Sequence, residues 1–216
     1  SSVINNIKNR AIHVGSAIGL NIENCDLKNM SNESQNLIEG DTLLINQSRF
    51  SDITIKSGLR LINNNGPLNI NKSVFVNIDV TKNRQGSLLY SNSSGKKILI
   101  SNSVIFSDQF KWGEYDLEEL LYQQGNGDID IEYSNTNFKI IPGYGLLGNI
   151  SAPNFFSDTT FKKVYSNSGL INSGKSDINM GGITSITSKA YQGPKWFISA
   201  DTTVTNSDGS LSTPFP

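Results

Sequence analysis

The 216-residue chain has few of the residues on which many enzymes and small secreted proteins depend, namely cysteine, histidine and charged residues. A single cysteine, Cys25, cannot form an internal disulfide, so we expect it to behave as a small buried apolar residue. One histidine, His13, cannot supply a multi-histidine metal site, and its alternating surroundings favour an exposed strand position. Charged residues make up only 17% and the net charge is −1, which excludes a basic surface for nucleic acid.

The chain also lacks long apolar segments, which bears on its location. No run is long enough for a transmembrane helix, so we expect no membrane insertion. No basic start with an apolar stretch is visible, so we expect no signal peptide in this chain. Asparagine, serine, threonine and glycine fill the composition instead, and they favour turns and polar ladders over helices.

A repeat of 23 to 31 residues runs through most of the sequence. Its third position is apolar in every copy: Ile22, Ile45, Ile70, Ile100, Ile131 and Phe156. Its sixth position is small in every copy: Cys25, Ser48, Ser73, Ser103, Ser134 and Thr159. Its eighth position includes three phenylalanines, which we predict to join the third-position residues in one inner stack: Phe50, Phe75 and Phe161. We expect the sixth position to be small because the chain turns tightly there.

A short apolar pair followed by glycine completes each copy, as in Leu61-Ile62 before Gly66. A possible seventh copy starts at Ile178. Such short strands cannot bury their inner face alone, but copies stacked about 4.8 Å apart align equivalent side chains. The pattern predicts an all-β chain, a single-stranded parallel β-helix solenoid of six to seven rungs over residues 19–190. Residues 1–18 would be initial strands or a cap, and the segment 115–123 would be a helical turn.

The repeat resembles the right-handed parallel β-helix superfamily, the pectin-lyase-like fold. Phe75-Val76-Asn77 and Gly181-Gly182-Ile183 are similar to motifs of polymorphic-outer-membrane-type surface repeats, F-x-x-N and G-G-A-I. The first motif is one residue short here, and the second lacks its alanine. The resemblance implies a right-handed helix and an extracellular or cell-surface location.

Residues 196–216, in a terminal segment predicted over 191–216, are similar to the opening of many β-helix domains, where an Asp-Gly-Ser turn leads to Pro-Phe. The segment is interpreted either as a boundary between tandem modules or as a tail that caps the helix. The residues assigned to this assembly boundary are Trp196, Phe197, Asp208, Gly209, Pro214 and Phe215. Either interpretation makes copies or modules of the same protein the expected partners, through the ends of the helix.

The longest insertions between copies of the repeat contain a cluster of aromatic and acidic residues. If the protein binds a glycan or a surface protein, we expect the ligand to contact these insertions. These candidate binding residues are Trp112, Glu114, Tyr115, Asp116, Tyr122, Tyr133 and Tyr144. A solvated acidic turn explains the acids more simply, and a polar outer strand face explains Asp128 and Asp130. We therefore predict no catalytic residue, metal or cofactor, and a non-enzymatic surface, adhesion or filament module. The alternatives are a carbohydrate-active β-helix, a polysaccharide lyase or hydrolase, and a viral fibre component.

Overall fold

The protein, described from a computed structural model, consists mostly of β-strands in parallel sheets. The described part also contains two 3₁₀ turns, Lys175–Asp177 and Met180–Gly182. The structure describes residues 2–8, 11–14, 19–56, 59–80, 87–91, 98–106, 121–123, 129–136, 156, 161–186, 204–205 and 211–212. The prediction of an all-β chain is confirmed over these residues.

Three parallel sheets contain most of the strands. Sheet A runs in the order β1 (Ser2–Asn5), β4 (Cys25–Asn32), β7 (Arg49–Ile55), β10 (Val74–Val80), β13 (Val104–Phe106) and β16 (Asn135–Thr136). Sheet B contains β2 (Ile12–His13), β5 (Ile38–Gly40), β8 (Arg60–Asn64), β11 (Ser87–Ser91) and β14 (Leu121–Gln123). Sheet C contains β3 (Gly19–Glu23), β6 (Thr42–Asn46), β9 (Leu68–Asn71), β12 (Ile98–Ser101) and β15 (Ile129–Glu132).

Each strand of these sheets pairs with the strand three places later in the chain. Parallel neighbours need a long connection, and here the strands of the other two sheets provide it. We call three consecutive strands, one from each sheet, a strand triplet. The first triplet is β1 to β3, so the segment predicted as initial strands or a cap already extends sheets A and B. Of the segment 115–123 predicted as a helical turn, Leu121–Gln123 is strand β14 and pairs with β11, whereas residues 115–120 lie outside the described residues.

Equivalent residues of successive triplets form columns that fill the core. The column of sheet C is Ile22, Ile45, Ile70, Ile100 and Ile131, all buried. The column of sheet A is Leu27, Phe50, Phe75, Ile105 and Thr136. In it the rings of Phe50 and Phe75 stack with centroids 4.5 Å apart and planes at 2°. Stacked rings of this kind stabilise the fold beyond the contribution of their buried apolar area.

At the corner between sheets C and A, the small residues of the sixth repeat position form a column of their own, and hydrogen bonds connect its members. The residue before each small side chain has a left-handed backbone: Asn24, Gln47, Lys72, Asn102 and Tyr133, with φ from 46° to 52°. After this turn, the N–H of Ser48 donates to Ser73 Oγ at 3.2 Å rather than to a carbonyl. The same bond recurs from Ser73 to Ser103 and from Ser103 to Ser134. The sixth position is therefore small because it directly follows the turn and its side chain must also accept a buried N–H.

Cys25 heads this column but is only half-buried, not fully buried as predicted. Its N–H donates to Ser48 Oγ at 3.2 Å. Its Sγ lies 3.3 Å from the carbonyl of Glu23, two residues earlier, where the serines place Oγ. The cysteine thus occupies a serine position at the start of the stack.

Residues 161–186 do not add the sixth and seventh copies that the repeat predicted. They contain a separate two-stranded parallel sheet, β17 (Lys163–Tyr165) with β18 (Thr184–Ile186). Phe156 and Phe161, predicted for the inner stack, pack edge to face at 5.2 Å outside that core. A further pair, β19 (Val204–Thr205) with β20 (Leu211–Ser212), is antiparallel.

The serine column yields a stability prediction. Ser73→Ala should lower the free energy of unfolding by about 1–3 kcal/mol, because the buried N–H of Ser48 loses its acceptor. Cys25→Ser should change it by less than about 0.5 kcal/mol, because serine already serves this position in later triplets. Urea denaturation of both variants checks this, and equal effects of the two changes would contradict the role given to the hydroxyl.

Candidate functional site

Part of the outer face of sheet A is covered by a segment that we call the clasp, residues 161–186. Neighbouring residues of a strand point to opposite faces, and in β10 Phe75 enters the core while Val74 and Val76 face outward. With Val104 they form a second buried cluster with four clasp residues: Val164, Leu170, Met180 and Ile183. The clasp therefore covers an apolar strip that sheet A would otherwise expose.

Arg49 of β7 donates hydrogen bonds to the backbone of the clasp. Its Nε donates to the carbonyl of Phe161 at 3.2 Å and its Nη2 to that of Gly182 at 3.4 Å. Nη1 donates to the carbonyl of Gln47 at 3.0 Å, so one guanidinium joins both ends of the clasp to the corner of the sheets. Burial lowers the pKa of the Arg49 guanidinium from its ordinary value, and the Asp26 carboxylate acts in the opposite direction.

An ion pair lies beside this arginine. Lys162 Nζ donates to Asp26 Oδ2, which links the clasp to β4 across most of the chain. The other oxygen, Asp26 Oδ1, is buried and has no hydrogen-bond partner among the described residues. In the part of the chain that the structure describes, this carboxylate lies beside two cations with no second acid next to it, which fits an electrostatic anchor better than a hydrolytic site.

Two glycines allow the clasp to approach the sheets closely. Gly181 and Gly182 have left-handed backbones with φ of 71° and 59°. A Cβ on Gly181 would lie 2.6 Å from Val74 Cγ2, and the Gly181 N–H donates to the carbonyl of Asn102 at 2.6 Å. The Gly-Gly-Ile sequence that resembled a surface-repeat motif thus forms the contact between the clasp and sheet A.

The outer face of sheet B carries a second polar surface. Four residues are in register across its strands, His13, Glu39, Asn63 and Tyr90, and the backbone of Tyr122 pairs next to Tyr90. His13 Nδ1 lies 3.2 Å from Glu39 Oε2, and its side chain is 51% exposed, as a strand histidine was expected to be. The Arg60 guanidinium lies 3.8 Å above the ring of Tyr90, a cation–π contact. This surface presents a ring, a guanidinium and a carboxylate on one rigid face.

A third surface is the start of the stack, where β1, β2 and β3 are the edge strands of their sheets. Ile4, Ile12 and Leu20 of this first triplet are only half-buried, whereas the residues paired with them in the second triplet are buried. Val3 on β1 is 58% exposed. Among the described residues, no strand pairs with the free side of these edges.

The structure brings together few of the predicted binding residues. Tyr122 is in β14, where its backbone pairs with Tyr90. Tyr133 is not on an exposed loop: it is half-buried at a corner and packs against the second cluster, because the chain turns there. Asp130 is half-buried in β15, paired with Leu99. The other predicted site residues lie outside the described residues: Trp112, Glu114, Tyr115, Asp116, Asp128, Tyr144, Trp196, Phe197, Asp208, Gly209, Pro214 and Phe215.

Sequence reasoning missed Arg49, Asp26, Lys162, Arg60 and Tyr90. The first three lie up to 136 residues apart, and no local pattern signals that they meet. In contrast, Arg60 directly precedes an apolar pair of the repeat and Tyr90 directly follows one. Aligning the copies could therefore have placed these two residues on one face.

Within the described ranges, no group of three or more histidine, cysteine, aspartate or glutamate side chains could hold a metal ion. No helix in the same ranges has the length and hydropathy needed to cross a membrane. Comparison with protein-family models, with curated proteins and with solved structures finds no match to this chain.

The clasp contact predicts different effects for two glycine substitutions. Gly181→Ala should lower the free energy of local opening of the clasp by about 2–4 kcal/mol, because alanine at this φ is strained and its Cβ meets Val74. Gly19→Ala is the matched control, because the nearest atom to its Cβ is 4.0 Å away. Hydrogen exchange of residues 161–186 measures the local opening, and equal exchange in both variants would contradict the packing described.

Proposed function

We propose that this chain is a non-enzymatic structural or adhesive module of the cell surface or extracellular space, built as a right-handed parallel β-helix solenoid. The observation that carries the proposal is the unbroken register of equivalent residues through three sheets. A chain that visits three sheets in fixed order has the connectivity of a solenoid with three faces.

Such a stack suits a rigid spacer. Successive triplets are joined by backbone bonds in sheets A, B and C and by the serine column at one corner. Bending the stack would break several of these bonds at once, because neighbouring triplets are joined in all three sheets. Length can then increase by about 4.8 Å per added triplet without any change in the cross-section.

The surface location is supported by the resemblance of the repeat to surface-repeat proteins. The partners expected from it are copies or modules of the same protein, and glycans or surface proteins. The proposed role needs no cofactor and no catalytic set, since it consists of spanning distance and presenting faces.

Location and activity can be tested together. Antibodies against this chain should label intact, non-permeabilised cells of the source, and the purified protein should leave polyuronate chains at their starting length. Labelling that requires permeabilisation would contradict the surface role. Shortening of the polysaccharide would favour the lyase or hydrolase alternative.

Glycan binding on sheet B is a second candidate function, favoured by the stacking of Arg60 on Tyr90. Aromatic rings and guanidinium groups on a flat, rigid face can contact sugar rings and their carboxylates. Tyr90→Ala should reduce binding on a glycan array at least about tenfold, a loss of about 1.4 kcal/mol. Tyr165→Ala in the clasp is the control, because β17 lies outside sheet B. Equal binding by the two variants would remove this candidate.

A further inference from the structure

The acceptor pattern for N-linked glycans, Asn-x-Ser, occurs six times in the sequence. Four of these asparagines lie among the described residues: Asn29, Asn32, Asn46 and Asn71. A glycan is bulky and hydrophilic, so the pattern has this meaning only where the asparagine lies at the surface of a protein that leaves the cell. Burial and hydrogen bonding therefore separate the four positions.

Asn32 is fully buried at the end of β4. Its Nδ2 donates to the carbonyl of Arg60 at 3.4 Å, and its Oδ1 accepts the N–H of Lys56 at 2.7 Å. Both ends of the amide are used inside the fold. A sugar on Nδ2 would be forced against the backbone of β8, which this amide contacts.

Asn46 and Asn71 belong to the corner between sheets C and A. Both are half-buried, and their Nδ2 groups donate along one ladder, to Glu23 Oε1 at 3.1 Å and to Asn46 Oδ1 at 3.3 Å. The serines of these two patterns, Ser48 and Ser73, are buried members of the serine column. The pattern at this corner thus results from the fold, which places a ladder amide, a left-handed residue and a column serine in succession.

Asn29 differs from the other three in its exposure. It lies within β4 of sheet A, is exposed, and has a left-handed backbone with φ of 51°, a conformation in which asparagine is enriched. Its Nδ2 donates one hydrogen bond, to Asn5 Oδ1 at 3.1 Å. An amide nitrogen carries two hydrogens, so one is left for substitution. Ser31, which completes this pattern, is half-buried, in contrast to the buried serines of the corner.

We propose that Asn29 carries an N-linked glycan on sheet A, and that Asn32, Asn46 and Asn71 carry none. The proposal rests on the surface or extracellular location proposed above, because this modification belongs to exported chains. The donor is an oligosaccharide joined to a lipid through a diphosphate. A bond forms between Nδ2 and the first sugar carbon as the bond from that carbon to the diphosphate oxygen breaks. The diphosphate leaves with the electron pair and Nδ2 loses one proton, whereas its other hydrogen keeps the bond to Asn5.

The strand beside β4 offers a position at which the same surface can be tested. Asp52 of β7 lies next to Asn29, between two paired positions, and it is also exposed and left-handed, with φ of 56°. Thr54, which pairs with Ser31, follows it by two residues. Asp52→Asn therefore creates the acceptor pattern at an equivalent place on the same sheet, and this variant should gain a second glycan.

Peptide mapping of the protein from its source cells tests the proposal. Amidase deglycosylation in water enriched in heavy oxygen turns each glycosylated asparagine into a labelled aspartate, and fragment spectra locate the label. Asn29 should be labelled, and Ser31→Ala should abolish the label. Ser34→Ala is the matched control, because it removes only the pattern of the buried Asn32 and should leave the label at Asn29 unchanged.

Asn29→Asp is the second variant if circular dichroism shows that Ser31→Ala fails to fold, and it should lose the electrophoretic shift of one glycan. An unlabelled Asn29, a label that survives Ser31→Ala, or a label on Asn32, Asn46 or Asn71 in the folded protein would each overturn the proposal. Antibody labelling of intact cells separates this failure from that of the proposed function. A chain that reaches the surface without a glycan at Asn29 refutes this proposal alone, whereas a chain that stays inside the cell refutes the surface role as well.

Discussion

The backbone ladder between equivalent positions is the interaction on which the rest of the structure depends. Each strand pairs with the strand three places later, so every residue lies beside its counterpart in the next triplet. The chain must also turn at the corner between sheets C and A, where the regular ladder is interrupted. Serine repairs it there, because Ser73 Oγ accepts the N–H of Ser48 and the next serines repeat the bond. The core columns, including the Phe50–Phe75 stack, are kept in register by these bonds.

The clasp depends on that stack but obeys other rules. It contributes no strand to sheets A, B or C, and instead lies on the outer face of sheet A. Its apolar residues cover Val74, Val76 and Val104, whereas Arg49 and the Lys162–Asp26 pair fix its edges. A valine strip on an outer strand face would otherwise be an exposed apolar patch, and such patches usually meet a partner. The chain supplies this partner itself.

The faces and ends of the stack are the surfaces left for other molecules. Sheet A is partly covered by the clasp, whereas sheet B presents Arg60 on Tyr90 and the pair of His13 with Glu39. The start of the stack exposes part of its apolar core, and the described side chains at the other end do not.

The sequence by itself determined the repeat, the strand character and the columns for its first five copies. These follow from local patterns, since alternation and a small sixth residue recur at a nearly constant interval. It could not determine that Phe156 and Phe161 leave the core, because their segment carries the same apolar spacing as a true copy. Nor could it place Lys162 beside Asp26, or Gly181 against Val74. Only the tertiary structure decided these contacts, because a face becomes available for packing only after the strands that form it have stacked.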